Sequence, residues 1–220
     1  MLKIRYKEVL YGGVVMKHKW LEWAQKIQAL SQAGIAFSKD AYDIERFEEL
    51  RKISVEIMAE YTNMSTEKIT NLFANETGYQ TPKVDIRGVV FQENQILLVK
   101  EKHDGLWSLP GGFCDIGLSP SENIVKEIQE ESGFNVTTTK LLAVLDTHKH
   151  DHPPQSSHYY KLFIQCEISG GRAISGLETA DVAFFAKDQL PPLSRKRNTE
   201  TQMHMLFDFL KDPNKETVFD

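Results

Sequence analysis

Between Gly111 and Phe134 a glycine pair runs into a short segment whose two ends are written into the sequence. Ser119-Pro120-Ser121-Glu122 spells a capping box with proline at the first helical position. Gly133 supplies a left-handed stop. A helix is therefore predicted over 120–132. At about 100° per residue, Glu127, Glu130 and Glu131 fall within an arc of about 100°. Ile124, Val125 and Ile128 occupy the adjoining arc and must face a core. The carboxylates thus lie at the edge of the buried face, where they repel one another. A divalent cation among them relieves that repulsion, and a neighbouring glycine loop offers N–H groups to anionic oxygens. Together they point to chemistry on phosphates. A helix with glutamates alone reads equally well as a solvated acidic face. Trp107-Ser108-Leu109-Pro110-Gly111-Gly112 directly before it shifts the balance toward a site.

Two differently patterned blocks surround this segment. Residues 16–75 read as helical. Trp20, Trp23, Ala24, Ile27 and Leu30 follow helical spacing, and Gly34 breaks it. A longer second helix carries Phe47, Leu50, Ser54, Ile57, Met58 and Tyr61, capped at Asp40 or Asp43. Ser65 or Thr66 caps a third with Ile69, Leu72 and Phe73 inside. So small a helical block needs a partner surface, either the second block or another subunit. Residues 76–82, with Gly78 and Pro82, read as a linker.

Residues 83–211 change to strands: Val84 to Phe91, Gln95 to Lys100, Leu141 to Leu145, His158 to Ile168 and Val182 to Phe185. Glu93-Asn94 makes a tight connection between the first two. Tyr160, Leu162, Ile164, Cys166 and Ile168 form one apolar face of a half-buried strand, and Ser169-Gly170-Gly171 turns the chain. Thr199 to Lys211 is a terminal helix, and 212–220 a tail. The fold class is α+β, with a mixed sheet between helices. Residues 1–15 read as an extension. Gly12-Gly13 is encodable by codons resembling a ribosome-binding site just upstream of Met16, so Met16 is expected as the native start, the alternative being a short disordered or edge-strand extension.

The formal charge of −5 gives no general attraction for nucleic acid or anionic membrane, so a phosphate ligand needs a local cation arrangement. Cys114 and Cys166 are too few for a disulfide framework and indicate a reducing, cytoplasmic setting. No apolar run reaches the length of a membrane span.

The stretch from Gly112 to Phe134 resembles the Nudix box of the Nudix hydrolases, G-x5-E-x7-R-E-U-x-E-E-x-G-U. Gly112, Glu127, Ile128, Glu130, Glu131, Gly133 and Phe134 stand in register. The resemblance covers about 83–211 and implies a Nudix α/β/α sandwich. Residues 16–75, with Lys149 to Pro154, Leu177 to Val182 and Leu193 to Arg197, look like a subgroup that includes ADP-ribose pyrophosphatase-like and CDP-choline pyrophosphatase-like enzymes. It implies hydrolysis of a nucleoside diphosphate linked to another moiety, Mg²⁺ or Mn²⁺ on Glu127, Glu130 and Glu131, and a homodimer through the helical block. Two positions depart from the pattern. Leu118 replaces the family's glutamate and Lys126 its arginine, so the loop loses an ion pair and with it metal affinity or order. Lys126 can turn to Glu130 at i,i+4.

Candidates for the general base are Glu131, Glu178, Asp181 and Glu167. Gly111, Gly112, Arg87, Lys102 and Arg197 are candidates for binding phosphate. His148, His150 and His152 crowd one loop with Asp151. Zinc is one reading of that loop, but substrate recognition by His150 and His152 fits the resemblance better. Phe113 and Trp107 either stack on a base or anchor the loop. Alternative functions are a Nudix-fold nucleotide-binding or regulatory module with weakened catalysis, and an RNA-processing nuclease.

Overall fold

The computed structural model describes residues 19–62, 64–74 and 77–220, and separates them into two units. The proposed start at Met16 and extension 1–15 lie outside the described residues, as do Asn75 and the side chains of Leu72 and Phe73.

The first unit takes in the residues up to Pro82 together with Pro154–Ser157. Helix α1 spans Lys19–Phe37 and α2 spans Ala41–Glu60. Gly34 does not end α1, contrary to the sequence reading. A Cβ there would lie 2.4 Å from the Phe47 ring, so the glycine lets α2 cross closely. Asp40 caps α2 by accepting the N–H groups of Tyr42 and Asp43. Ser65 caps α3, Thr66–Phe73. Leu21, Ala24, Val55, Met58, Ile69 and Ala74 form the apolar core. Trp20 stacks on Tyr61 at 5.0 Å, while Trp23 is 59% exposed. A buried polar contact also joins α1 and α2, with Ser54 donating to Gln28, which donates to Gln32 within α1. Gln25 donates to the carbonyls of Gln155 and Ser156.

In the second unit, β1 (Lys83–Gln92), β2 (Gln95–Glu101), β3 (Trp107–Ser108), β4 (Phe134–Asp146), β5 (Tyr159–Gly171), β6 (Thr179–Ala186) and β7 (Val218–Phe219) join in one mixed sheet. Its order is β3-β2-β1-β5-β4-β7, with β6 on β2. The β1–β5 and β4–β7 pairs are parallel, the others antiparallel. Glu93 and Asn94 both have positive φ, as a tight hairpin turn requires.

Helix α4 (Pro120–Ser132) covers one side of the sheet and α5 (Glu200–Lys211) belongs to the core of the other. Ile124 and Ile128 of α4 are fully buried against Ile86, Val90, Leu97 and Ile164, worth about 2–3 kcal/mol each. Gly88 admits this contact, since a Cβ there would meet Ile128 at 2.5 Å. Met203, Leu206 and Phe207 pack with Val89, Leu142 and Phe163.

Three sequence expectations change here. Strand β4 begins immediately after the α4 cap, well before Leu141, because it hugs β5 from Phe134 onward. Strand β5 continues through Gly171 rather than turning at Ser169. It is also buried on both faces in its middle, since Lys161 and Phe163 are as buried as Ile164 and Cys166, while Tyr160 near its start is 42% exposed. A strand between two others, with a helix on each side, keeps little solvent face there. Residues 212–220, read as a tail, contribute β7.

Candidate active site

Helix α4 begins and ends as its sequence dictates. Ser119 and Glu122 exchange both capping-box hydrogen bonds, and Gly133 sits at φ 76°. The helix thereby holds Glu127 half-buried, Glu130 exposed and Glu131 buried. The glycine loop lies against the first and last of these. The Gly111 N–H donates to Glu131 Oε2 at 2.8 Å, and Gly112 lies beside the Glu127 carboxylate. Strand β1 fixes the loop in turn, through Ile86 N–H to Gly112 O and Gly88 N–H to Pro110 O, each 2.8 Å. Gly111 has φ 133°, and a Cβ on it would stand 2.0 Å from the Ile86 carbonyl oxygen. No other residue fits both the angle and the approach.

Burial pushes the Glu131 carboxyl up to about 8, against the Gly111 hydrogen bond and Arg87, with Glu101 and Glu127 adding repulsion. Burial also raises Glu127, with Glu130 contributing. These carboxylates are crowded and under-compensated, and a divalent cation's charge and oxygen preference fit them. Oxygen donors on one helix face are the donor set that hard cations take.

The departure at Leu118 is absorbed locally. Leu118 is 39% exposed, and the loop is ordered by Asn123. That side chain accepts the Asp115 N–H at 2.8 Å and donates to the carbonyls of Leu118 and Ser119. Lys126 finds Asp115 at 2.6 Å, closer than Glu130 at 3.8 Å. The carboxylate partner is present three residues earlier than the family pattern puts it.

The other candidates fall in separate places. Lys102 donates to the carbonyls of Gly176 and Leu177, and its N–H to that of Glu178. This loop is tied to α4, because Thr179 donates to Glu131 O and accepts from Gly176 N–H, both 2.7 Å. Lys102 and exposed Glu178 therefore border the carboxylate helix. Arg87 forks onto Asp85 with two bonds of 2.8 Å and donates to Leu109 O. Arg197 pairs with Glu101 at 2.9 Å and with Asp104 at 3.4 Å. His150 faces Asp220. His152 donates from Nδ1 to Arg195 O and accepts at Nε2 from Gln202, which assigns its tautomer. Burial, with Lys161 nearby, holds its pKa down to about 4. Phe113 stacks on Tyr159, and Trp107 packs edge-on against Phe185. Asp181 accepts its neighbour Val182's N–H, and Glu167 is exposed on β5.

Sequence reading missed Asp85, Glu101 and Lys161, all buried. Lys161 donates to Asp85 at 3.0 Å. Burial drives the ammonium down to about 8. Burial opposes the Asp85 charge too, yet Arg87 and Lys161 hold it below the usual carboxylate range. The available signal was the Asp85/Arg87 spacing of two on one strand, which puts opposite charges on the same face.

A mixed sheet between helices, with a glycine loop clasped to the glutamates of one helix, defines a hydrolase of phosphoric anhydrides. The chain belongs to the Nudix family and is a pyrophosphohydrolase. The NUDIX domain matches residues 81–208, and residues 18–73 match a UDP-X-like, N-terminal oligomerisation domain. A Bacillus subtilis (strain 168) protein provisionally named an ADP-ribose pyrophosphatase, YjhB, is 62% identical over 94% of this chain and 100% of its own length. An ADP-ribose pyrophosphatase of Methanocaldococcus jannaschii is 31% identical over 53% of this chain and 69% of that protein. Among solved structures, a UDP-X diphosphatase is 35% identical with TM-score 0.61, covering 92% of this chain and 98% of that one. An ADP-ribose pyrophosphatase from Streptococcus suis is 44% identical with TM-score 0.59, over 64% of this chain and all of that one. Among the described residues, no helix is long and apolar enough to cross a membrane.

Proposed function

We propose that the chain hydrolyses the pyrophosphate of a nucleoside diphosphate linked to a second moiety, of the ADP-ribose type, using Mg²⁺ or Mn²⁺ held by Glu127, Glu130 and Glu131. The observation that carries this reading is the clasp of Gly111 N–H on Glu131 beside Gly112 and Glu127. The 62% identity to the B. subtilis relative supports the ADP-ribose class. When bound, the cation offsets charge on the phosphate oxygens and makes a water more acidic. The chain's own residues do the positioning. Gly111 and Gly112 bring backbone close enough to meet the pyrophosphate while steering both carboxylates. Lys102, at the border of the helix, offers positive charge to a phosphate. Glu178, on the loop tied to the α4 terminus, is the nearby exposed carboxylate for taking the water's proton, with Glu131 the alternative base.

A UDP-linked substrate is the second reading, favoured by the helical block's match and by the UDP-X diphosphatase likeness. The helical unit also leaves Trp23, Leu30 and Phe37 about 60% exposed or more. Such side chains suit a self-association surface, and we place a homodimer there. The test is a panel of ADP-ribose, UDP-sugars, CDP-choline and capped RNA with Mg²⁺ or Mn²⁺, followed by product identification. Release of a nucleoside monophosphate from one class, abolished by EDTA, is expected. Turnover that survives EDTA refutes the cation's role, and absence of turnover on every diphosphate refutes the reading.

A further inference from the structure

At the end of β4 away from the glutamate helix, a second group of ligand-type side chains converges. Asp146 ends β4, His148 lies in the 3-10 turn Thr147–Lys149, and His158 precedes β5. One ligand atom from each falls within 4.8 Å of the others, and all three residues are half-buried. We propose that Asp146, His148 and His158 form a binding site for a borderline divalent cation of the Zn²⁺ class, chemically distinct from the all-carboxylate site on α4.

The chemistry of the donors sets the class. Two imidazoles and one carboxylate suit Zn²⁺ and its neighbours, whereas Mg²⁺ prefers oxygen alone. Three protein ligands leave the fourth tetrahedral position to water. Asp146 links the other two residues. Asp146 Oδ1 accepts the His148 N–H at 2.8 Å and lies 2.8 Å from His158 Nε2. A carboxylate just after β7 backs the group, since Asp220 Oδ2 accepts the Asp146 N–H. Asp220 also meets His150 Nε2 at 3.2 Å.

Ion binding asks for a small rearrangement. The His148 and His158 rings stack nearly parallel, 7° apart with centroids at 4.3 Å. Parallel rings do not aim both in-plane lone pairs at one point. Ligand atoms around a tetrahedral Zn²⁺ sit about 3.3 Å apart, given bonds of about 2.0 Å. One ring therefore rotates about its terminal torsion, which is broad and soft. The cation replaces the proton shared by His158 Nε2 and Asp146. It ties the end of β4 to the start of β5, fixing both ends of the loop that carries His150 and His152. The zinc reading of His148, His150 and His152 gives way to a different triad, because His152 is committed to Arg195 and Gln202.

The test separates the two sites. In full-length protein carrying Glu127→Gln and Glu130→Gln, Zn²⁺ titration by calorimetry is expected to retain one bound equivalent. His148→Gln, His158→Gln and Asp146→Asn should each weaken it at least tenfold, while His152→Gln leaves it. The Asn substitution keeps an oxygen for the turn's cap. In otherwise unaltered protein, Zn²⁺ should shift the ring-nitrogen resonances of His148 and His158 and leave those of His152 unmoved. Loss of the bound equivalent in the double glutamine variant, or ring shifts confined to other histidines, overturns the proposal.

Discussion

The two units bury opposite things. The helical unit encloses neutral amides and hydroxyls, Gln28, Ser31, Gln32 and Ser54, and leaves Trp23, Leu30 and Phe37 in solvent. The sheet unit buries Asp85, Arg87, Glu101, Glu131 and Lys161. A buried charge is costly unless paired, so a cluster of them marks a place where stability has been traded for chemistry. Exposed apolar side chains are the opposite case, and they carry the proposed self-association surface.

The comparison breaks most completely at Gly111. Gly111→Ala forces a Cβ into the Ile86 carbonyl at a positive φ, so a loss of about 3 kcal/mol or more, or insoluble protein, is expected in chemical denaturation. Normal stability would show that the loop moves away from β1 freely. The cost of burying Glu131 comes next. Its carboxyl is raised to about 8 from an ordinary 4.5. Its contribution to stability is therefore fully present below about pH 4.5 and is lost as pH rises through 8. In EDTA, Glu131→Gln should match wild type near pH 4.5 and be more stable by on the order of a few kcal/mol near pH 9. Added Mg²⁺ or Mn²⁺ should close that gap. A gap of the reverse sign would mean that the carboxylate is compensated without a cation.

On the helical side, Leu30→Glu should weaken self-association at least tenfold in light scattering while the helical signal persists, because a charge on a contact face is desolvated at a cost. An unchanged mass would move the association surface elsewhere. The smallest effect is expected at Lys126→Met. Its pair with Asp115 is exposed, and Asn123 orders the loop without it. Melting and turnover should stay close to wild type. A large loss would show that Lys126 touches substrate.

Helix α4 was legible to the residue, because both of its caps are local sequence signals, and local signals need no knowledge of the fold. The apolar runs of β1 and β2 were readable for the same reason. Strand β5 was misjudged because alternation reports only how many faces are apolar. Lys161 looked like a solvent residue, and its burial depends on Asp85 from a strand distant in sequence. β7 is too short to carry a pattern and exists through its pairing with Ala143 and Val144. The placement of Glu127, Glu130 and Glu131 on α4 was readable from spacing. The replacement of the missing glutamate at Leu118 by Asp115 was not, since the loop must fold before Asp115 reaches Lys126. The surroundings of the histidine loop were not legible for the same reason: His150 faces Asp220, His152 faces Arg195 and Gln202, and His158, from just before β5, meets Asp146.

The central claim is that Glu131, held by Gly111, serves the cleavage of a pyrophosphate. Its most direct test is kcat/KM of Glu131→Gln on the preferred diphosphate at saturating Mg²⁺ or Mn²⁺, with the melting temperature measured alongside. A fall of roughly 100-fold or more in a variant that melts no lower than wild type is the expected result. Turnover equal to wild type would contradict it.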